Sequence, residues 1–132
     1  MKQIFAHCII LFLVAFSCEK AAAQTAQGIK SVTEISLDSK DKETTRSFKS
    51  YDETGNLIEE KEFDDDGKLK DHVKYEYNSG GQKVKEIHFT ADGKPAEITT
   101  YEYDIKGNRI AKTETDGSGK VKSRKKYVYE FY

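Results

Sequence analysis

From about residue 29 onward the chain alternates apolar and polar positions in short runs, each closed by a polar tetrad. Alternation with period two is the signature of strands, and Tyr, Val, Ile, Thr and Phe enrich these runs as strands require. The tetrads stand at 52–55, 64–67, 78–81, 90–93, 104–107 and 116–119. Each opens on Asp, Asn or Thr and closes on Gly, with a degenerate seventh at 38–41 that closes on Asp. The opening side chain bonds the backbone two residues on, and the two central residues suit a type I turn. The closing Gly supplies the left-handed residue of a G1 bulge, which a Cβ would oppose. The pattern predicts eight strands near 29–37, 42–51, 56–63, 68–77, 82–89, 94–103, 108–115 and 120–131. Joined by tight hairpins, they make an all-β, antiparallel up-and-down meander with no helix after the N-terminal segment.

The runs repeat. Tyr51, Tyr77, Tyr103 and Tyr129 are spaced by 26 residues, as are Gly55, Gly81 and Gly107, and Ile58, Val84 and Ile110. Val32, Glu34 and Leu37 keep the same phase with Ile58, Glu60 and Phe63. Residues 29–132 are thus four double-hairpin units of one design. If the residues flanking each turn pair as Asp104 with Asn108, cross-strand partners share parity. One face is then odd-numbered and the other even, an assignment that a one-residue slip inverts. The odd face gathers Tyr51, Leu57, Phe63, Leu69, Val73, Tyr75, Tyr77, Ile87, Phe89, Tyr101, Tyr103, Tyr127, Tyr129 and Phe131. The even face carries Glu60, Glu62, Lys70, Lys74, Glu86, Lys112, Glu114, Lys122, Arg124 and Lys126, with Lys74 opposite Glu86. Because Glu59, Lys61, Lys83, Lys85 and Glu97 share the odd face, a dry sandwich core is not expected. A curved, half-rolled sheet with the tyrosines on its concave side is. Eight strands also permit a barrel, at the cost of burying those charges.

Residues before this domain read differently. Lys2 precedes an apolar run from Ile4 to Phe16, which is too short for a permanent membrane span and suits a secretory signal peptide. Two processing sites compete. Ala21, Ala22 and Ala23 suit a general signal peptidase, which makes 1–23 the signal and 24–28 a short linker. Ser17 and Cys18 resemble a bacterial lipobox, which makes 1–17 the signal and Cys18 the lipidated residue. Either cut leaves at most one Cys, so no internal disulfide is expected. The chain is expected to be exported, whether periplasmic, anchored to the outer membrane at Cys18, or extracellular.

Composition narrows the class further. With 22 Lys and Arg against 23 Asp and Glu, the formal net charge is −1, which gives no basic footprint for nucleic acid. Charged residues reach 34%, with one Pro and no Trp, and mean hydropathy is −0.76. That excludes a membrane-embedded chain, a collagen and a disulfide scaffold.

The stretch YEYDIKGNRI at 101–110, with YDETGNLI at 51–58 and YNSGGQKV at 77–84, resembles the YD repeats of the RHS family. The resemblance covers about 80 residues, from Tyr51 onward. It implies a β-meander made for export and contact, with Tyr51, Asp52, Tyr103 and Asp104 as scaffold. Family members are secreted or surface-displayed, and their repeats form spiralling β-sheet shells. Four units do not suffice to wind such a shell, and neither an effector domain nor the self-cleaving core is expected, so encapsulation and proteolysis are not carried over. Repeats of the MORN-variant type, with Tyr and Gly in short hairpins, are the second resemblance.

Chemical motifs are sparse. His72 and His88 fall opposite each other on the even face under same-parity pairing, but two imidazoles without a third ligand read as surface. Asp64, Asp65 and Asp66 before Gly67 lack EF-hand spacing and read as an acidic turn. Lys122, Arg124, Lys125 and Lys126 lie on the last strand, where cations deter edge-to-edge pairing. No nucleophile–base pattern and no phosphate loop is present, so neither catalysis nor a cofactor is expected. The one candidate site is an aromatic platform of Tyr75, Tyr77, Tyr101, Tyr103, Tyr127 and Tyr129, set in two adjacent rows on neighbouring strands. Tyrosine joins an apolar ring to a polar tip, which suits a glycan or an extended peptide, although the same rings serve equally as the sheet's own packing. The expected function is contact with a protein or glycan. The rivals are a structural module that packs its odd face on a second copy, and a small enzyme or inhibitor.

Overall fold

The computed structural model describes residues 28–132. The signal peptide, both processing sites, Cys18 and all of the 24–28 linker except Gly28 lie outside the described residues. Eight strands follow in chain order: β1 (Ser31–Leu37), β2 (Glu43–Tyr51), β3 (Leu57–Phe63), β4 (Leu69–Tyr77), β5 (Lys83–Phe89), β6 (Pro95–Tyr103), β7 (Arg109–Asp116) and β8 (Val121–Lys126). They form a single antiparallel sheet whose spatial order is the chain order. Among the described residues there is no helix, and each strand contacts only its neighbours in sequence. The meander is therefore open, with β1 and β8 as edges, and no barrel forms.

The turns follow from their tetrads. At 104–107 the Gly107 N–H donates to the Asp104 carbonyl at 3.0 Å, and the Asp104 N–H donates to the Asn108 carbonyl at 2.9 Å. Asp104 Oδ1 accepts from the Lys106 and Asn108 N–H groups at 2.9 and 2.8 Å. Gly107 sits at φ +86°, in the left-handed region. The degenerate tetrad makes the same turn with Asp41 at φ +59°, a conformation Asp tolerates better than most L-residues.

One feature of the pairing corrects the same-parity register. Just past every turn the outgoing strand carries one extra residue. Tyr103 opposes Arg109 but Glu102 opposes Ala111, so Ile110 has no partner of its own. Ile58, Lys70, Val84, Ala96 and Lys122 are skipped in the same way. This second bulge, beyond the G1 bulge of the turn, makes odd residues face even ones along each ladder. Tyr75 opposes Glu86 and Tyr101 opposes Lys112, while Lys74 opposes Ile87 rather than Glu86. Directly opposed side chains share a face. One face therefore holds Val73, Tyr75, Tyr101 and Tyr103 together with Glu60, Glu86, Lys112 and Glu114. Phe63, Ile87 and Phe89, grouped with the tyrosines by parity, lie on the opposite face, as do Lys74, His72 and Ile98.

Little of this sheet is sheltered. Among the described residues only Val73, Ala111, Thr99 and Thr113 are buried, and no side chain is wholly enclosed. A sheet one layer thick has no second layer to pack on. Its order rests on backbone ladders and on side chains lying across their lateral neighbours.

Candidate functional site

The tyrosine face is assembled by alternate strands. Tyr75 and Tyr77 come from β4, Tyr101 and Tyr103 from β6, and Tyr127 and Tyr129 from the segment that follows β8. Strands β5 and β7 stand between them, so the rows are not on neighbouring strands, as parity had them, and charged side chains separate the rings. Lys83 Nζ lies 5.0 Å from the centre of the Tyr75 ring and 5.5 Å from that of Tyr101. The Arg109 guanidinium lies 4.5 Å from the Tyr101 ring and 5.9 Å from the Tyr103 ring. A cation held over an aromatic face is attracted by the ring quadrupole, by about 0.5–1 kcal/mol at an exposed site.

The phenols are engaged as well. Tyr77, Tyr103 and Tyr129 donate to the carbonyls of Leu57, Lys83 and Arg109 at 2.9, 2.7 and 2.8 Å, the same bond reproduced in three successive units. Tyr75 and Tyr101 reach Glu60 and Glu86 at 3.4 Å, longer contacts that also repeat at 26 residues. Each ring is thereby laid back across the preceding hairpin.

Electrostatics follow this interleaving. Burial, with the charges of Glu60 and Glu86 beside it, pushes the Tyr75 phenol up to about 12. Burial likewise raises Tyr77, and burial with the Glu86 charge raises Tyr101. Burial works against ionisation of Glu86, yet its bonds to Lys83 at 2.6 Å and His88 at 2.9 Å prevail and hold the carboxyl below its usual range. Bonds from Lys112 and Ser123 take Glu114 down to about 2. The face is therefore a chequer of neutral phenols, fixed carboxylates and fixed cations. Such a face can stack on a ring and pair with charge of either sign.

Other motifs resolve plainly. His72 and His88 do not face each other: His72 stacks on Phe89 with centroids 4.6 Å apart and bonds Glu59 at 2.8 Å, on one face. His88 opposes Val73 on the tyrosine face. The carboxylates of Asp64, Asp65 and Asp66 cluster closely enough to hold a cation. Asp64 Oδ1, however, already accepts from the N–H groups of Asp66 and Lys68 at 3.1 and 2.8 Å, as an acidic turn does. Lys122, Arg124, Lys125 and Lys126 occupy the β8 edge.

Sequence reasoning missed Glu60, Glu86 and Lys112 as members of the tyrosine face, and missed that Lys83 and Arg109 cap the rings. The signal was present, since Leu57, Lys83 and Arg109, and Glu60, Glu86 and Lys112, both keep the 26-residue beat.

No protein-family model matches the chain, and no curated protein does. Among solved structures, the crystal structure of TcdB2-TccC3-TEV is similar at 17% identity and a TM-score of 0.38, over 74% of this chain. The chain spans 6% of the length of that structure.

Proposed function

We propose that this chain is an exported, non-catalytic β-repeat protein of a bacterial envelope that works by contact, binding a protein or glycan through its tyrosine face. The observation that carries this reading is the repeat-phased set of Tyr75, Tyr101, Lys83, Arg109, Glu60 and Glu86, which no second layer of the described residues covers. Such a surface offers ring edges for stacking and fixed charges of both signs for orientation. An extended peptide or an oligosaccharide lying across β4–β8 meets a repeat of the same chemistry every second strand. The resemblance of 101–110 to YD repeats supports export and display.

The test is a glycan and peptide array probed with the wild-type protein and with Tyr101→Leu, which keeps apolar bulk but removes the stacking face and the phenol. A ligand retained by the wild type and lost by the variant, with far-ultraviolet dichroism unchanged, is the expected result. A blank array for the wild type removes the binding reading.

A further inference from the structure

We infer that the two sheet edges are complementary, and that the partner they fit is a second copy of this chain, joined β8 to β1 in phase with the repeat. This goes beyond the proposed function, since it uses the edges and leaves the tyrosine face free.

The long strands show what β8 lacks. In β4 the pairing with β3 stops at Lys74, and Tyr75, Glu76 and Tyr77 pair only with the following strand. In β6 the pairing with β5 stops at Thr100, and Tyr101, Glu102 and Tyr103 again pair only onward. The corresponding residues of the last unit are Tyr127, Val128 and Tyr129. They fall outside β8, and Val128 is 91% exposed. Among the described residues no following short strand pairs with them. At the other edge, β1 is a short strand with no long strand before it among the described residues, and Val32, Ile35 and Leu37 stand exposed along it.

Register, hydrogen bonding and faces agree. The Tyr51 N–H donates to the Lys30 carbonyl and the Asp38 N–H to the Lys42 carbonyl, so even residues of β1 bond β2. Antiparallel pairing then points the backbone groups of Ser31, Thr33, Ile35 and Leu37 outward. The Tyr127 N–H donates to the Ile110 carbonyl, which leaves those of Arg124, Lys126 and Val128 outward on the other edge. Continuing the 26-residue phase sets Lys126 against Ile35 and Tyr127 against Glu34. These reproduce Lys74 against Ile87 and Tyr75 against Glu86 in β4–β5. The ladders place Glu34 on the tyrosine face and Ile35 on the opposite one, so both pairs match in face. A copy displaced along the sheet also presents β1 antiparallel to β8, as the meander requires.

Charge favours this arrangement over a β8–β8 contact. β8 carries Lys122, Arg124, Lys125 and Lys126, which repel a second β8. β1 itself carries Glu34 and no cation, and in the turn after it Asp38 and Asp41 are offset by Lys40 and Lys42. Head-to-tail contact between unlike edges does not close on itself, so it extends as a row of copies.

The experiment uses protein purified as it accumulates in the cell, with mass measured by sedimentation across a wide concentration range. Thr33→Pro removes an outward N–H from β1, and Lys126→Pro removes one from the β8 edge, and neither touches a ladder bond to the inner neighbour. Wild type is expected to grow in mass with concentration. Each variant alone is expected to stay monomeric with unchanged dichroism, while an equimolar mixture forms a one-to-one dimer through the two intact edges and goes no further. A wild type that stays monomeric throughout overturns the inference. So does self-association by either variant alone, because that requires like edges or faces. The array result is independent of both outcomes, since it reads the face.

Discussion

The β6–β7 hairpin and the β1–β2 hairpin are built on one plan, yet shelter is distributed between them against the grain of hydropathy. Thr99 and Thr113 are 4% and 7% exposed, whereas Val32, Ile35 and Leu37 are 41%, 48% and 56% exposed. In the inner hairpin two threonines are hidden beside Ala111, while at the edge the apolar side chains stand in water. Strands β6 and β7 have a neighbour on each side, and long side chains such as Tyr101, Lys112 and Arg124 lie over the gaps between them. Among the described residues strand β1 has a neighbour on one side only. In a sheet without a second layer, lateral coverage decides burial, and intrinsic apolarity has nothing to bury itself against.

The largest expected effect comes from the β7–β8 turn, where it packs against the start of β6. A Cβ at Gly117 would lie 1.9 Å from the Pro95 carbonyl oxygen, so Gly117→Ala must displace backbone. A loss of about 3 kcal/mol is expected in urea unfolding. Gly80→Ala, where the nearest atom is the Asn78 side-chain oxygen at 3.3 Å, is expected to change stability by about 0.5 kcal/mol or less. Comparable losses at both turns would mean that the Pro95 backbone does not crowd the chain at Gly117.

Truncation tests the comparison directly. Val73→Ala removes a buried side chain from β4, at a cost of about 2 kcal/mol. Leu37→Ala, larger on paper, is expected to cost about 0.5 kcal/mol, because that side chain is already in water. Equal thermal shifts would break the claim that position in the sheet governs shelter.

A smaller effect is expected on the alkaline side. The Tyr75 phenol holds its proton to about 12, while an unfolded tyrosine releases it near 10. The folded state therefore binds the proton more tightly, and the stability present below 10 declines as pH rises toward 12. Tyr75→Phe should flatten that limb of the stability curve, and tyrosinate absorbance should show one phenol fewer titrating late.

The least effect belongs to the edge turn. Asp41→Gly relieves an L-residue at φ +59° and should stabilise the β1–β2 hairpin by about 0.5 kcal/mol. Hydrogen exchange in β1 is the sensitive readout, and faster exchange would show that Asp41 contributes more through its side chain than it costs in strain.

The eight strands, their order and their turns were legible because each turn is a local event. An Asp, Asn or Thr side chain reaches two residues along its own backbone and a glycine takes a positive φ, and both requirements are written in the tetrads. The tyrosine hydroxyl bonds were half legible: the beat of 26 announces that equivalent residues do the same thing, but not what they do. The faces were not legible. The extra residue at Ile58, Val84 and Ile110 leaves the turn motif untouched and changes only which backbone groups meet across the strands. In a sheet with a dry core, a strip of continuous apolar residues would have disclosed that slip. Here each face mixes rings with charges, so the apolar pattern is nearly indifferent to a shift of one.

The sequence by itself determined the local chemistry: where the chain turns, which residues recur, and that the repeat is made of hairpins. Only the assembled sheet decided which side chains meet, because cross-strand partnership depends on the hydrogen-bond register accumulated over two bulges per hairpin. That register brought Glu60, Glu86 and Lys112 among the tyrosines, sent Phe63 and Phe89 to the other side, and left β1 and β8 as unlike edges.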